Sequence, residues 1–219
     1  LEEGAVTICR AQASSRFPAD FMLVAAFNPC PCGYRGDPRR DCQCSPPQVE
    51  KYMGKISGPL LDRIDIQLEV PAVSYRDLAA SRAGTSSATM REVVLAARAR
   101  QAMRFGTTDF ERDGEGCVSN GSAIPVSGLV GSLPVRCNAR MNARQIRQFC
   151  RLDPAARELL RAAVSDLGLS ARAHDRILRV ARTIADLDPP ETPGSDDVIG
   201  PAHVSEAINY RLLDRSLWG

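Results

Sequence analysis

Lysine is almost absent from this chain: of 28 basic residues, only Lys51 and Lys55 are lysines. The arginines favour bidentate pairing with phosphate or carboxylate, although a GC-rich coding sequence gives the same bias and is the simpler cause. No window approaches the roughly 20 apolar residues that a helical membrane span needs. A secretory leader pattern is missing too, and the chain opens on Leu1-Glu2-Glu3-Gly4 instead of Met, which predicts a natural start upstream. These absences predict a cytoplasmic protein with no membrane partner. There is no strong excess of charge either: a net charge of +2 and a sequence pI near 8.2 are too mild to argue for nucleic acid from totals alone. With 44% hydrophobic and 25% charged residues, the composition is that of an ordinary globular protein. A length of 219 residues admits one large domain or two small ones.

Cysteine, by contrast, is present and clustered. Cys30, Cys32, Cys42 and Cys44 form two CxC pairs, while Cys9, Cys117, Cys137 and Cys150 are scattered. That pattern suits a metal knuckle in a reducing compartment better than a secreted disulfide framework. The segment 29–47 around the pairs is dense in Pro, Gly and Asp and predicts a loop. Residues 5–10 alternate and predict a strand. The unbroken apolar run Phe21–Phe27, stopped by Asn28-Pro29, predicts a buried central strand of an α/β sheet. A helix is expected from about Pro47 to Lys55, then a short turn at Leu60-Leu61. Residues 64–70 alternate strictly up to Pro71 and predict another strand. Beyond Pro71 the pattern turns helical at 88–104, 139–150, 154–167, 171–187 and 201–214. In the block 171–187, Ile177, Leu178, Ala181, Ile184 and Ala185 recur at helical spacing, with Arg172, Arg176 and Arg179 on the opposite face. Between the helices, Gly106 to Arg136 has almost no period and predicts a flexible insertion, and 189–200 predicts a polar loop. The fold class expected is α/β followed by all-α.

Four groups of residues can carry chemistry. Thiolates from Cys30, Cys32, Cys42 and Cys44 can enclose one tetrahedral ion, a closed site with no position open for catalysis; zinc is the default, iron–sulfur the minor option, and disulfides or free thiols the bland readings. Asn28, at the carboxyl end of the expected central strand, would face the ligand crevice and orient a water or a terminal phosphate; taken alone, it is simply a helix or turn cap. Arg63, in Leu60-Leu61-Asp62-Arg63-Ile64-Asp65, is either a surface ion pair or a cation presented to a transferring phosphoryl group. Arg172 follows the N-cap Ser170, where a cation is slightly unfavourable and hints at function; the alternative is a solvated helix face, as for Arg176 and Arg179.

The segments "FMLVAAFNPCPCGYRGDPRRDCQCSP", "SGPLLDRIDIQLEVP", "NARM" and "LSARAHDRILRVARTIADL" together resemble the magnesium-chelatase-like AAA+ ATPases. The CxC pairs favour the ComM-like helicase branch over the chelatase subunit of pigment synthesis. The resemblance implies an ATP-hydrolysing ring motor, a homo-hexamer, that uses ATP with Mg²⁺ and remodels DNA. It implies that Asn28 is the first sensor, that Arg63 is an arginine finger acting on the neighbouring subunit, and that Arg172 is the second sensor, reaching its own subunit's ATP. It places the first strand in a hairpin that points into the ring pore. The implied organisation is the C-terminal part of an AAA+ P-loop α/β domain at 1–76 with the four-cysteine knuckle at 29–47, a connecting helix at 77–105, an insertion at 106–137 and a helical lid at 138–219.

The chain departs from that family in two respects, one being that the segment 107–136 has no counterpart there. It also has no GxxxxGK[ST] and no apolar strand ending in Asp-Glu, so the cradle for phosphates and Mg²⁺ is expected upstream of Leu1. Two other readings stand beside the DNA motor: an ATPase subunit of a tetrapyrrole metal chelatase, and a non-enzymatic zinc-knuckle module that binds nucleic acid.

Overall fold

The computed structural model describes residues 4–10, 13–19, 21–37, 39–71, 73, 75, 79, 84–106, 137–188 and 198–211. The expected insertion therefore lies, from 107 to 136, outside the described residues. These residues fall into two compact units, one drawn from Leu1–Ile64 and Leu68–Ala72, the other from Asp65–Gln67 and Val73–Leu212.

The first unit opens with a hairpin. Strand β1 (Ala5–Arg10) pairs antiparallel with β2 (Ala13–Pro18), in a register that sets Val6 opposite Phe17 and Ile8 opposite Ser15. The β-branched residues of β1 favour the pleated backbone, and the Val6–Phe17 pair is of a kind that stabilises sheets. The polar run around Ser14-Ser15 conceals β2 from a reading based on alternation. Helix α1 (Pro46–Met53) begins where its sequence requires: two prolines fill the first turn, and Gln48 Oε1 accepts from the Ser45 backbone N–H at 2.9 Å. Its buried residues Val49 and Met53, four apart, pack on Cys30. One further turn, α2 (Gly58–Leu61), buries Leu61.

Two strand expectations fail here. Phe21–Phe27 and the alternating 64–70 carry no regular structure and, apart from the half-buried Ile64 and Gln67, stay open to solvent, with Met22 88% and Val70 86% exposed. A strand is held by its ladder, and among the described residues neither segment has a partner strand. Apolar composition marks a segment fit for a sheet; it does not supply the neighbours.

The second unit is helical: α3 (Ser87–Phe105), a 3₁₀ turn (Asn138–Arg140), α4 (Ala143–Phe149), α5 (Pro154–Leu167), α6 (Ala171–Leu187) and α7 (Pro201–Asn209). Four of these helices start at a capping side chain. Ser86 accepts from Thr89 N–H, Asn142 from Gln145, Asp153 from Ala156 and Ser170 from Ala173. At the far end of α5, Gly168 turns the chain at φ +56°, a conformation that side-chain-bearing residues resist. Met141, Ile146, Leu160, Ile177, Ala181, Ile199, Val204 and Ala207 form one core, to which full burial of each large apolar side chain contributes roughly 1.5–3 kcal/mol. Phe105 and Phe149 meet edge to face, centroids 5.6 Å apart.

Of the polar loop expected at 189–200, residues 189–197 lie outside the described residues, and a short strand stands at its end. Strand β4 (Val198–Ile199) pairs parallel with β3 (Arg151–Leu152), and Asp153 N–H donates to Ile199 O at 3.2 Å. The pairing is only two residues long, too short to show a period, and Ile199 within it is fully buried. The solvated face expected for α6 is also corrected. Arg176 is buried against Asp65, and Arg179 donates to Met141 O at 2.7 Å.

Candidate functional site

The cysteine knuckle is the best-formed chemical site among the described residues. Cys30-Pro31-Cys32 turns back on itself through Gly33, whose N–H donates to Cys30 O at 3.1 Å with φ +82°. An added Cβ at Gly33 would meet the Asn28 side chain at 3.5 Å, so the residue expected to sense phosphate packs against this turn. The returning loop delivers Cys42 and Cys44 just before α1, whose Met53 and Val49 close the inner side over a fully buried Cys30.

The resulting sulfur positions suit a single ion. Cys30 and Cys32 are 3.3 Å apart, and Cys42 lies 3.6 Å from each. All four Sγ atoms lie within 4.8 Å of one another and none is in a disulfide. A tetrahedron with Zn–S near 2.3 Å would have edges of about 3.7 Å. Four soft thiolates select zinc or an iron–sulfur centre over hard cations.

The proton affinities of the set are uneven. Cys32 is held down to about 6, chiefly by a hydrogen bond from the Tyr34 backbone, then by the Cys30 thiol. Cys44 is pushed up to about 12: the Cys32 backbone works against that shift, and burial with the neighbouring sulfurs outweighs it. Crowded thiols cannot all ionise together without a cation among them, and a divalent ion removes that conflict.

The arginines are placed differently. Arg63 lies on the turn after α2 and donates from Nη1 to Pro59 O at 2.8 Å. Asn28 is exposed and, like Arg63, belongs to the first unit. Arg172 lies in the first turn of α6, exposed, in the second unit. Arg176, one turn further, donates from Nη1 to Asp65 at 2.5 Å; Asp65 stands two residues past Arg63 in sequence.

A second polar cluster is not singled out by the sequence reading. Asp186, fully buried, is bound by Arg104, by Arg182 at 2.9 Å and by Asn138 Nδ2 at 2.7 Å. Arg100 adds a bond to the Asp186 carbonyl at 2.5 Å. Burial opposes ionisation of Asp186, yet hydrogen bonds from Arg104 and Asn138 and the Arg182 charge win and hold its carboxyl below the usual range. The i,i+4 spacing of Arg182 and Asp186 on an otherwise apolar face was its one sequence signal. Asn138 and Met141, the ends of the NARM segment, are both buried at this cluster and the core beside it.

Sequence comparison assigns the class. The profile of magnesium chelatase, subunit ChlI, matches residues 1–78, and that of the ChlI C-terminal region matches 84–211. The chain belongs to the magnesium-chelatase-like family, on the branch that includes YifB and ComM. It is 37% identical over 219 residues both to the uncharacterized protein YifB of Escherichia coli and to competence protein ComM of Haemophilus influenzae. Each alignment covers 99% of this chain and 36% of the relative. Uncharacterized protein Rv2897c of Mycobacterium tuberculosis is 34% identical over 198 residues, 90% of this chain and 34% of the relative. The chain thus spans about a third of the length of the curated relatives it matches. No helix among the described residues is long and apolar enough to cross a membrane.

Proposed function

We propose that this chain is the C-terminal part of an AAA+ ATPase that works as a homo-hexameric ring and remodels DNA in the cytoplasm. The observation that carries the reading is the order of its parts. A profile match over 1–78 contains Asn28, the knuckle and Arg63, and a second over 84–211 contains the capped helix that bears Arg172. In this reading Asn28 polls the terminal phosphate, Arg63 stabilises charge on the phosphoryl group bound by the adjacent subunit, and Arg172 reaches ATP from the helical lid. Residues 1–76 complete the α/β ATPase domain, 77–105 connect, 106–137 form an insertion and 138–219 form the lid. The phosphate loop and the Mg²⁺-binding acids lie outside these 219 residues, which contain neither pattern. Zinc in the cysteine knuckle is structural, because four protein ligands leave it no open position.

The profile description itself favours a second reading, a chelatase subunit of tetrapyrrole synthesis. An ATPase assay on the whole protein separates the two. The DNA motor predicts hydrolysis stimulated by DNA and indifferent to porphyrin. Hydrolysis that ignores DNA and responds to a porphyrin with its metal-inserting partners reverses the choice. No ATP hydrolysis by the whole protein under any condition leaves the third reading, a non-enzymatic zinc-knuckle nucleic-acid module.

A further inference from the structure

We propose that the groove between the cysteine knuckle and α1 grips the phosphodiester backbone of a DNA strand through Lys51 and Lys55. The inference rests on the DNA reading above and names a surface for it. The groove is lined by Cys32, Cys44, Gln43, Gln48 and both lysines, with no carboxylate on its wall. A chain that uses arginine almost everywhere places its only two lysines here. Lys51 occupies the last turn of α1 and Lys55 follows the C-cap Gly54, its ammonium 6.0 Å from the centre of the Tyr52 ring. Lysine suits this role, because a flexible point charge follows a phosphate chain without demanding the fixed geometry of a guanidinium fork.

The groove's amides reinforce the match. Because Gln48 Oε1 is taken by the Ser45 N–H, its amide NH₂ is left to donate. A wall with two ammonium groups and two side-chain amides favours an anion that offers many acceptor oxygens. The knuckle loop adds the exposed Arg35, Arg39 and Arg40, against Asp37, Asp41 and Glu50. The competing role for the lysines is to neutralise the thiolates of the metal site, and the two roles are separable by experiment.

The test uses the whole zinc-loaded protein and a fluorescein-labelled single-stranded oligodeoxynucleotide, with anisotropy measured across a salt series. Lys51→Gln with Lys55→Gln should lower affinity roughly tenfold at about 0.1 M salt and make the slope of log affinity against log salt shallower by about 1.4. Zinc content and DNA-free ATPase activity should stay at wild-type values, and Lys51→Arg with Lys55→Arg should restore most of the affinity. Unchanged affinity and slope in the glutamine variant, with wild-type protein binding the strand, overturns the groove alone. Zinc loss in that variant also overturns it, since the lysines then serve the cluster. Wild-type protein that binds no strand at all removes the DNA reading, and the groove falls with it.

Discussion

The two units differ in what holds them. In the helical unit, Ile177, Ala181 and Val204 vanish into one core and each long helix starts at its own cap. In the first unit the buried residues are few, and Phe21, Met22, Val24, Leu68 and Val70 stand open to solvent. There order concentrates around four sulfurs, where Val49 and Met53 pack on Cys30. The comparison teaches where each unit's stability comes from. One is held by apolar burial; in the other, an ion bound by the four sulfurs would supply the cross-link.

Metal removal should break that comparison most visibly. Chelation under reducing conditions is expected to take the metal content from one ion per chain to none. Hydrogen exchange should then accelerate through residues 30–53 and stay unchanged in α6. Mass spectrometry after exchange reads both regions in one sample. Acceleration in both would mean that they do not stand independently, and no metal in the untreated protein would remove the zinc assignment.

Next in size is the effect of Arg63. In the whole protein, Arg63→Ala should leave ATP binding nearly intact while hydrolysis falls by roughly 10³-fold or more. Arg172→Ala should weaken nucleotide binding as well, because its charge acts on the bound ground state. Mixing Arg63→Ala subunits with subunits that lack the phosphate-loop lysine should restore part of the activity, since some interfaces then join an intact loop to an intact finger. If mixed rings form and stay inactive, Arg63 does not act in trans.

The helical unit should yield to a single carboxylate. Asp186→Ala removes the buried carboxylate that Arg104 and Arg182 share, and breaking such a group typically costs about 3–5 kcal/mol. Urea unfolding followed by circular dichroism measures it. The same group sets an acid limit. The folded-state carboxyl is held below its unfolded value of roughly 3.9, so its contribution is complete above that pH and fades as pH falls through the folded value. Asp186→Asn should flatten the acid limb of a stability profile; a limb of unchanged steepness would assign it to other carboxylates.

Legibility in the sequence followed the range of the interactions. Helix α6 was readable because Ser170 and the apolar spacing that follows this cap lie within a few turns of chain. Strand β1 was readable from its alternation, but β2 was not, because Ser14 and Ser15 are placed by pairing and not by burial. The runs at 21–27 and 64–70 misled for the opposite reason: their composition is that of strands, and pairing is not a property of one segment. The cysteine cluster was legible because its members are near in sequence. Asp186 was not, since Arg104 and Asn138 reach it across 82 and 48 residues. Arg176 looked like one more arginine on a wet face until Asp65 was placed beside it.

The smallest expected effect tests the claim that the helical unit's order is written locally. Ser170 Oγ accepts the Ala173 N–H at 3.0 Å, satisfying one of the donors that the first turn of α6 leaves open. Ser170→Ala removes that bond and should cost about 1 kcal/mol, whereas Ser170→Gly, which lets backbone and water rearrange around the open donors, should cost only a few tenths. Denaturant midpoints at constant slope resolve the difference. The same pair of variants sharpens the reading of Arg172, which sits two residues past the cap. If Arg172 contributes only through nucleotide, both variants should shift stability in the order given while leaving the affinity of the whole protein for ATP unchanged within about twofold, well inside 1 kcal/mol. A cap variant that loses ATP affinity while keeping its stability would show that the first turn of α6 is itself part of the nucleotide site.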